Sequence, residues 1–276
     1  MGSITPSTPE WDPRTVLSTL PNPPPENTST PIPFFHLLSR LKTTKREGWQ
    51  QVHLSHHGES IADHMYRMSI MTMFCPPSLA TRISIPRCIE MALVHDMAEC
   101  LVGDITPLNT DITKTEKARR EEATMQYITG PLLGSIPGGG GPRGAERMME
   151  LFREYEDNNT LEARFVHDVD KLEMVLQTIE YERELGRDLD EFYHVLGRIT
   201  LPEMREWAEV LIQERRDIAE QRDTYVNGVN ELKGVNGVNG HAAQVNGVKT
   251  VNGVNGVNGM NGVNGVSGHE NGVNGV

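Results

Sequence analysis

Apolar residues recur at helical spacing through most of the middle of the chain. Phe34, Leu37, Leu38 and Leu41 fall at i, i+3, i+4 and i+7, which predicts an amphipathic helix after Pro31-Ile32-Pro33. A polar stretch from Lys42 to Gly58 interrupts the pattern and carries Trp49. Ser60-Ile61-Ala62-Asp63 has the form of a capping box, and it opens a helix with the stripe Ile61, Met65, Met68 and Met71 that stops before Pro76-Pro77. Pro86 starts a helix over Arg87 to Val102 that is apolar on nearly every side, as a centrally buried helix is, with Gly103 as its C-terminal stop. A charged helix is expected from Thr115 to Ile128, a short one from Glu146 to Tyr155 and a long one from Thr160 to Leu185. Thr200-Leu201-Pro202-Glu203 reads as a second capping box, opening a last helix whose apolar face holds Trp207, Val210 and Leu211. The run Gly138 to Pro142 reads as loop. No useful length of strand-period alternation occurs, so the fold class is all-α.

The pattern fails at both ends. Residues 1–32 are rich in Pro, Ser and Thr, and from residue 227 the chain is a near-repeat of Val-Asn-Gly, where valine alone cannot build a core. The expected organisation is therefore one domain over residues 33–226 between disordered segments, 1–32 and 227–276. The net charge of −12 sits almost wholly on that domain, which argues against a nucleic-acid polymer as partner. Cys75, Cys88 and Cys100 have no metal or redox spacing and suggest a reducing compartment, intracellular and cytoplasmic or nuclear. No apolar run approaches the ~18 residues of a membrane span. A phosphate-handling role would need local attraction in place of bulk charge, and a bound divalent cation supplies that.

The chemistry concentrates on the apolar helix. At ~100° per residue, His95, Asp96 and Glu99 share one arc of it. Charged groups there are costly unless paired or metal-bound. His64 lies in the apolar stripe of its own helix, and Asp170 shares a stripe with Ala163, Val166 and Met174 on the long one. Two imidazole nitrogens and two carboxylates from His64, His95, Asp96 and Asp170 make a set suited to Mn²⁺, Co²⁺, Fe²⁺ or Zn²⁺. The alternative from spacing alone is a hydrogen-bonded core pair, His95 with Asp96. Asp168 competes with Asp170 but falls about 200° around the helix near Arg164 and Lys171, where a solvated ion pair fits better. His167 shares the Asp170 side as a supporting or a packing residue, and His53, His56 and His57 read as surface-loop histidines.

Longer strings carry a resemblance. Glu59-Ser60-Ile61-Ala62-Asp63-His64-Met65-Tyr66-Arg67-Met68, Ala92-Leu93-Val94-His95-Asp96-Met97-Ala98-Glu99, Gly103-Asp104-Ile105-Thr106-Pro107 and Asp170-Lys171-Leu172-Glu173-Met174 with Glu180-Tyr181-Glu182 resemble the 5′-deoxynucleotidases of the HD superfamily of metal-dependent phosphohydrolases. The similarity runs from about Pro33 to Asp217. It implies a helical HD-domain bundle that forms a homodimer and hydrolyses deoxyribonucleoside 5′-monophosphates with Mn²⁺, Co²⁺ or Mg²⁺. By resemblance His64, His95, Asp96 and Asp170 are the metal ligands, and Glu99 is the catalytic acid/base or the residue that positions the attacking water. Asp104 matches a nucleotide-recognition position; Glu99, Asp104 and the Ile105 carbonyl are candidates for a second cation such as Mg²⁺. Arg46 and Trp49 stand where the family has substrate-contacting Arg and Trp. Gln51-Val52-His53-Leu54 departs from the family's Arg-Asn before the first motif, which bears on the phosphate contacts and not on the metal ligands. Two other functions stay open: hydrolysis of another nucleotide (cyclic nucleotide, guanosine tetraphosphate or dNTP), and nucleotide binding without turnover.

Overall fold

Eleven α-helices and no strand lie within residues 10–52, 58–106 and 111–235, the part of the chain that the computed structural model describes. In order they are α1 (Pro13–Leu17), α2 (Ile32–Leu37), α3 (Glu47–Gln51), α4 (Ile61–Met73), α5 (Pro77–Ala80), α6 (Ile85–Val94), α7 (Glu99–Val102), α8 (Lys114–Tyr127), α9 (Gly140–Asp157), α10 (Leu161–Leu185) and α11 (Pro202–Val235). Met1–Asn227 make one compact unit and Gly228–Val276 another. No described helix is long and apolar enough to cross a membrane.

The centre of the first unit is α4, α6 and α10, each packed on the other two. Ile61 and Met68, Cys88, Met91 and Ala92, and Phe165, Val166, Val169 and Leu172 are buried there. Fully burying one large apolar side chain contributes about 1.5–3 kcal/mol. A core of this density holds neighbouring polar side chains in single rotamers. The capping box at Ser60 is present in both halves: the Ser60 hydroxyl accepts from Asp63 N–H, and Asp63 accepts from Ser60 N–H at 2.8 Å. It fixes where α4 starts and hence where His64 points.

Four features depart from the sequence expectation. The helix expected over Arg87 to Val102 divides into α6 and α7, because the backbone tightens through His95–Ala98. Met97 N–H donates to Val94 O and Glu99 N–H to Asp96 O, both at 3.0 Å, the i→i+3 pattern of a 3₁₀ turn. Residues three apart then lie one above the other, so Glu99 stacks over Asp96 where a continuous α-helix would set it near His95. Gly103 closes α7 with φ +79°, the left-handed conformation glycine allows.

The short helix expected from Glu146 begins instead at Gly140. Pro142 stands in its first turn, where the absent N–H has no intrahelical acceptor to lose. Residues 10–32, expected to be disordered, carry α1 and are tied down. Asp12 caps it by accepting Arg14 N–H at 2.7 Å, Leu17 is buried, and Asn27 N–H donates to Pro131 O at 2.7 Å. A few apolar anchors suffice where prolines have already narrowed the unfolded ensemble. Residues 1–9 and 236–276 lie outside the described residues.

Asp168 is the fourth. It is wholly buried, accepting from Thr200 N–H at 3.0 Å, Leu201 N–H at 2.8 Å and the Thr200 hydroxyl at 3.1 Å. It therefore holds the start of α11, and Thr200 gives its hydroxyl to Asp168. A buried N–H left without an acceptor costs about 1–3 kcal/mol, so this carboxylate is structural. Lys171 Nζ stands 3.7 Å away, the one part of the expected ion pair that is present.

Candidate metal centre

Three separate helices bring their polar residues to one point. His64 comes from the buried stripe of α4, His95 and Asp96 from the tight turn after α6, and Asp170 from the middle of α10. His64 Nε2 is 3.2 Å from Asp170 Oδ1 and 3.8 Å from Asp96 Oδ2, and His95 Nε2 is 3.2 Å from Asp96 Oδ2. The two imidazole rings meet edge-on with centroids 5.5 Å apart. Donor atoms of His64, His95 and Asp170 all lie within 4.8 Å of one another. Ligands bound at about 2.1 Å around one ion stand about 3–3.5 Å from their neighbours; His64 to Asp170 and His95 to Asp96 have that separation, and His64 to Asp96 is wider.

The far sides of both rings are already committed. His64 Nδ1 is 2.5 Å from Glu173 Oε2, and His95 Nδ1 is 2.9 Å from Ala92 O. Each ring donates from Nδ1 and turns a bare Nε2 toward the centre. Both Nε2 atoms are buried without a hydrogen-bond partner. Lone pairs of nitrogen therefore confront lone pairs of carboxylate oxygen, an arrangement that needs a positive charge between them. Burial and Arg46 disfavour charge on His64, but Glu173 and Asp170 outweigh them and push it up to about 10. A proton on Nε2 would satisfy one imidazole in this way. A divalent cation satisfies both imidazoles and both carboxylates at once, so the residues fit the group.

The carboxyls divide into two kinds. Burial alone would raise Asp96, yet the adjacent His95, with Arg46 and His64, holds it well below the usual range. Asp170 is likewise held down against burial by the adjacent His64, by His95 and by Arg46. Glu99 goes the other way: burial, then the neighbouring Asp96 and Asp104, push it well above the usual range. A carboxyl pushed up beside two that are held down is how a site separates acid from ligand.

Two cations line the centre. Arg46 Nη1 donates to Asp96 Oδ2 at 3.1 Å. Its position comes from an antiparallel bridge between Lys45 and Ser60, in which Arg46 N–H donates to Glu59 O and Ile61 N–H to Thr44 O. Lys117, from α8, lies 3.8 Å from Glu99 Oε1 and 3.4 Å from Glu121. Burial disfavours charge on either residue, but the surrounding carboxylates outweigh it and keep both protonated.

The other expected site residues lie as follows. Asp104 accepts from Glu47 N–H at 2.8 Å, so one of its oxygens is committed to the first turn of α3. Of Glu99, Asp104 and Ile105, the candidates for a second ion, Glu99 has the ammonium of Lys117 at 3.8 Å. Trp49 is buried in a small cluster of its own with Tyr181 and Leu189, its ring 4.5 Å from Phe192 and its N–H donated to Glu59 at 2.8 Å. The structure thus gives Trp49 a packing role and leaves Arg46 at the centre. His167 stacks on Tyr155 at 3.9 Å, and the Tyr155 hydroxyl donates to Asp170 Oδ2 at 3.2 Å, so His167 supports Asp170 through an intermediary. His53, His56 and His57 lie outside the described residues. Sequence reasoning gave no role to Tyr155, Glu173 or Arg67. For Glu173 a signal existed: it follows Asp170 by three residues on α10, one helical turn along the same face.

Comparison with known proteins converges on the same region. Residues 38–207 match the model of the HD domain family. The chain is 47% identical over 194 residues to 5′-deoxynucleotidase hdd1 of Schizosaccharomyces pombe, covering 67% of this chain and 89% of that protein. It is 38% identical over 187 residues to human 5′-deoxynucleotidase HDDC2, covering 67% and 85%. The solved structure of HD domain-containing protein YGK1 superposes with a TM-score of 0.53 at 30% identity, covering 75% of this chain and 98% of that one.

Proposed function

We propose, for a chain that belongs to the HD domain family, that it hydrolyses deoxyribonucleoside 5′-monophosphates to deoxyribonucleoside and phosphate with a divalent cation held by His64, His95, Asp96 and Asp170. Two buried Nε2 atoms that face two ionised carboxylates carry this reading. The relatives' name, 5′-deoxynucleotidase, supports the substrate class. When bound, the ion supplies Lewis acidity toward the phosphoryl oxygens and makes water nucleophilic near neutral pH.

The chain's own residues do the rest. Arg46 and Lys117 face the centre from opposite elements and offset the charge of the phosphate dianion, which the net-acidic surface does not. Water adds to phosphorus, the bond to the sugar 5′ oxygen breaks and that oxygen takes a proton, while the proton released by the water restores the donor. Glu99, whose proton affinity burial and Asp96 raise, is the group placed to give the first proton and take up the second. Asp104, a neighbour of Glu99 held by the Glu47 N–H of α3, is the carboxylate we assign to a sugar hydroxyl.

The test uses chelator-stripped full-length protein with each deoxyribonucleoside monophosphate, its ribose counterpart, and Mn²⁺, Co²⁺ or Mg²⁺ added singly. Phosphate release that depends on the metal and is greater for the deoxy substrates is expected. Release from dNTPs, cyclic nucleotides or guanosine tetraphosphate alone would move the assignment to another substrate. Thermal stabilisation by nucleotide without any release would make the domain a binding module.

A homodimer belongs to the same reading. Tyr66, Ile70, Met73 and Phe74 form an exposed apolar stripe at helical spacing along the outer face of α4. Sedimentation equilibrium is expected to give twice the chain mass; the single-chain mass would count against it. Cys88 and Cys100, both buried free thiols, support a reducing intracellular location.

A further inference from the structure

We infer that Glu173, clamped by Arg67, is the positioning residue that fixes which nitrogen of His64 faces the ion, an assignment that rests on the metal-centre reading above. An imidazole can bind a metal through either nitrogen, and the partner of the other nitrogen decides which. His64 and Glu173 are both wholly buried, and 2.5 Å separates Nδ1 from the carboxylate. A buried carboxylate is costly unless it is paired and held. Arg67 does both. Its Nε donates to Glu173 Oε1 at 2.7 Å and its Nη2 lies 2.6 Å from the same group, while its remaining donors reach Glu180 at 2.7 Å and Gln177 at 2.6 Å. One carboxylate oxygen is therefore occupied by guanidinium and the other by imidazole, and neither His64 nor Glu173 can turn without breaking a charged bond.

A rival arrangement exists and the charges decide against it. Glu59, His64 and Glu173 also offer donor atoms within 4.8 Å, which would suit an ion on the Nδ1 side. That position already has its cation. Arg67 binds Glu173 directly, stands 3.9 Å from Glu59, and cannot shed its proton. The other Glu59 oxygen accepts the indole N–H of Trp49 at 2.8 Å. A divalent ion placed there would be set against a guanidinium. Glu173 thus acts from behind His64: it touches neither ion nor substrate, and by holding Nδ1 as the donor it leaves Nε2 as the nitrogen that faces the ion.

The experiment measures Co²⁺ affinity of the full chain by competition with a metal indicator, together with the visible absorption of bound cobalt. Glu173→Gln is expected to weaken Co²⁺ binding about 10- to 100-fold. Its cobalt spectrum is expected to keep its band shape, because the set of atoms bound to the ion is unchanged. Affinity within twofold of the parent overturns the assignment, even if the melting temperature falls, because that result describes a purely structural residue. A changed band shape also overturns it, since Glu173 would then be a ligand. If Glu173→Gln does not fold, Arg67→Lys serves: it keeps the charge, loses the fork, and is expected to weaken Co²⁺ binding in the same direction, whereas unchanged affinity overturns the clamp. A parent protein that takes up no cobalt overturns the metal centre itself and this assignment with it; a parent that binds cobalt no better than Glu173→Gln overturns this assignment alone.

Discussion

Glu99→Gln is expected to retain the bound metal and to lose about a hundredfold to ten-thousandfold in turnover. Glutamine matches the shape of glutamic acid and can still accept a hydrogen bond, but it has no proton to give a departing alkoxide. The geometry favours a clean result. Glu99 lies 3.8 Å from Lys117 and is not one of the four residues assigned to the ion, so its replacement leaves that set whole. Its Oε2 is buried without a partner, so the substitution breaks no hydrogen bond on that side. Lys117 loses one neighbour at 3.8 Å and keeps Glu121 at 3.4 Å, so the cation stays in place. Metal content by elemental analysis and kcat at saturating substrate are the two readouts. Full activity in the variant would remove Glu99 from the mechanism. Loss of the metal would show instead that Glu99 belongs to the ligand set.

The reason Glu99 is suited to this work appears only in three dimensions. On a continuous α-helix it would lie about 40° from His95. The 3₁₀ turn through His95–Ala98 sets it over Asp96 instead. After burial, the neighbouring charge that pushes Glu99 upward is thus supplied by a local tightening of the backbone. Hydrophobic periodicity has no means of signalling that tightening, because Met97, Ala98 and Leu101 are apolar and buried in either geometry.

The same contrast separates what was legible from what was not. His64 was readable because an imidazole inside the stripe Ile61, Met65 and Met68 must be buried when the stripe is, and all four are. Asp96 and Asp170 were readable for the related reason that a carboxylate near a core needs a partner. The roles of Asp168 and Glu173 were not. α10 is buried on nearly all sides, so the angle that separates Asp170 from Asp168 does not separate inside from outside. One carboxylate reaches the metal centre, another the start of α11 and a third the back of His64, and only the packing of α4 and α11 against α10 distributes them. The helix beginning at Gly140 was hidden by glycine and proline, whose propensities a neighbouring core can override. Trp49 stands beside Arg46 in the sequence, where the resemblance implies a substrate contact, and its ring has Phe192 and Tyr181 as neighbours, which spacing alone does not reveal.

His95→Ala is expected to release the ion and with it the activity, and the stability of the variant separates two causes. Deleting the ring removes one of four donors and opens a void beside His64 and beside Tyr155, whose ring centroids lie 5.5 and 4.8 Å from that of His95. The void costs stability whether or not metal is present, on the order of 2–3 kcal/mol. The bound ion is a separate contribution, because a ligand held by the folded state alone stabilises it by about 2.7 kcal/mol at a hundred times its Kd. In a domain of this size that corresponds to about 5–10 °C in Tm. The parent is therefore expected to melt lower when a chelator is added, and the variant to melt at one temperature with or without it. Thermal melts of both proteins, with and without chelator, read the two contributions apart. Stoichiometric metal retained by His95→Ala, or a parent whose melting ignores the chelator, would contradict the ligand assignment, since the bare Nε2 of a buried ring would then have some occupant other than the ion.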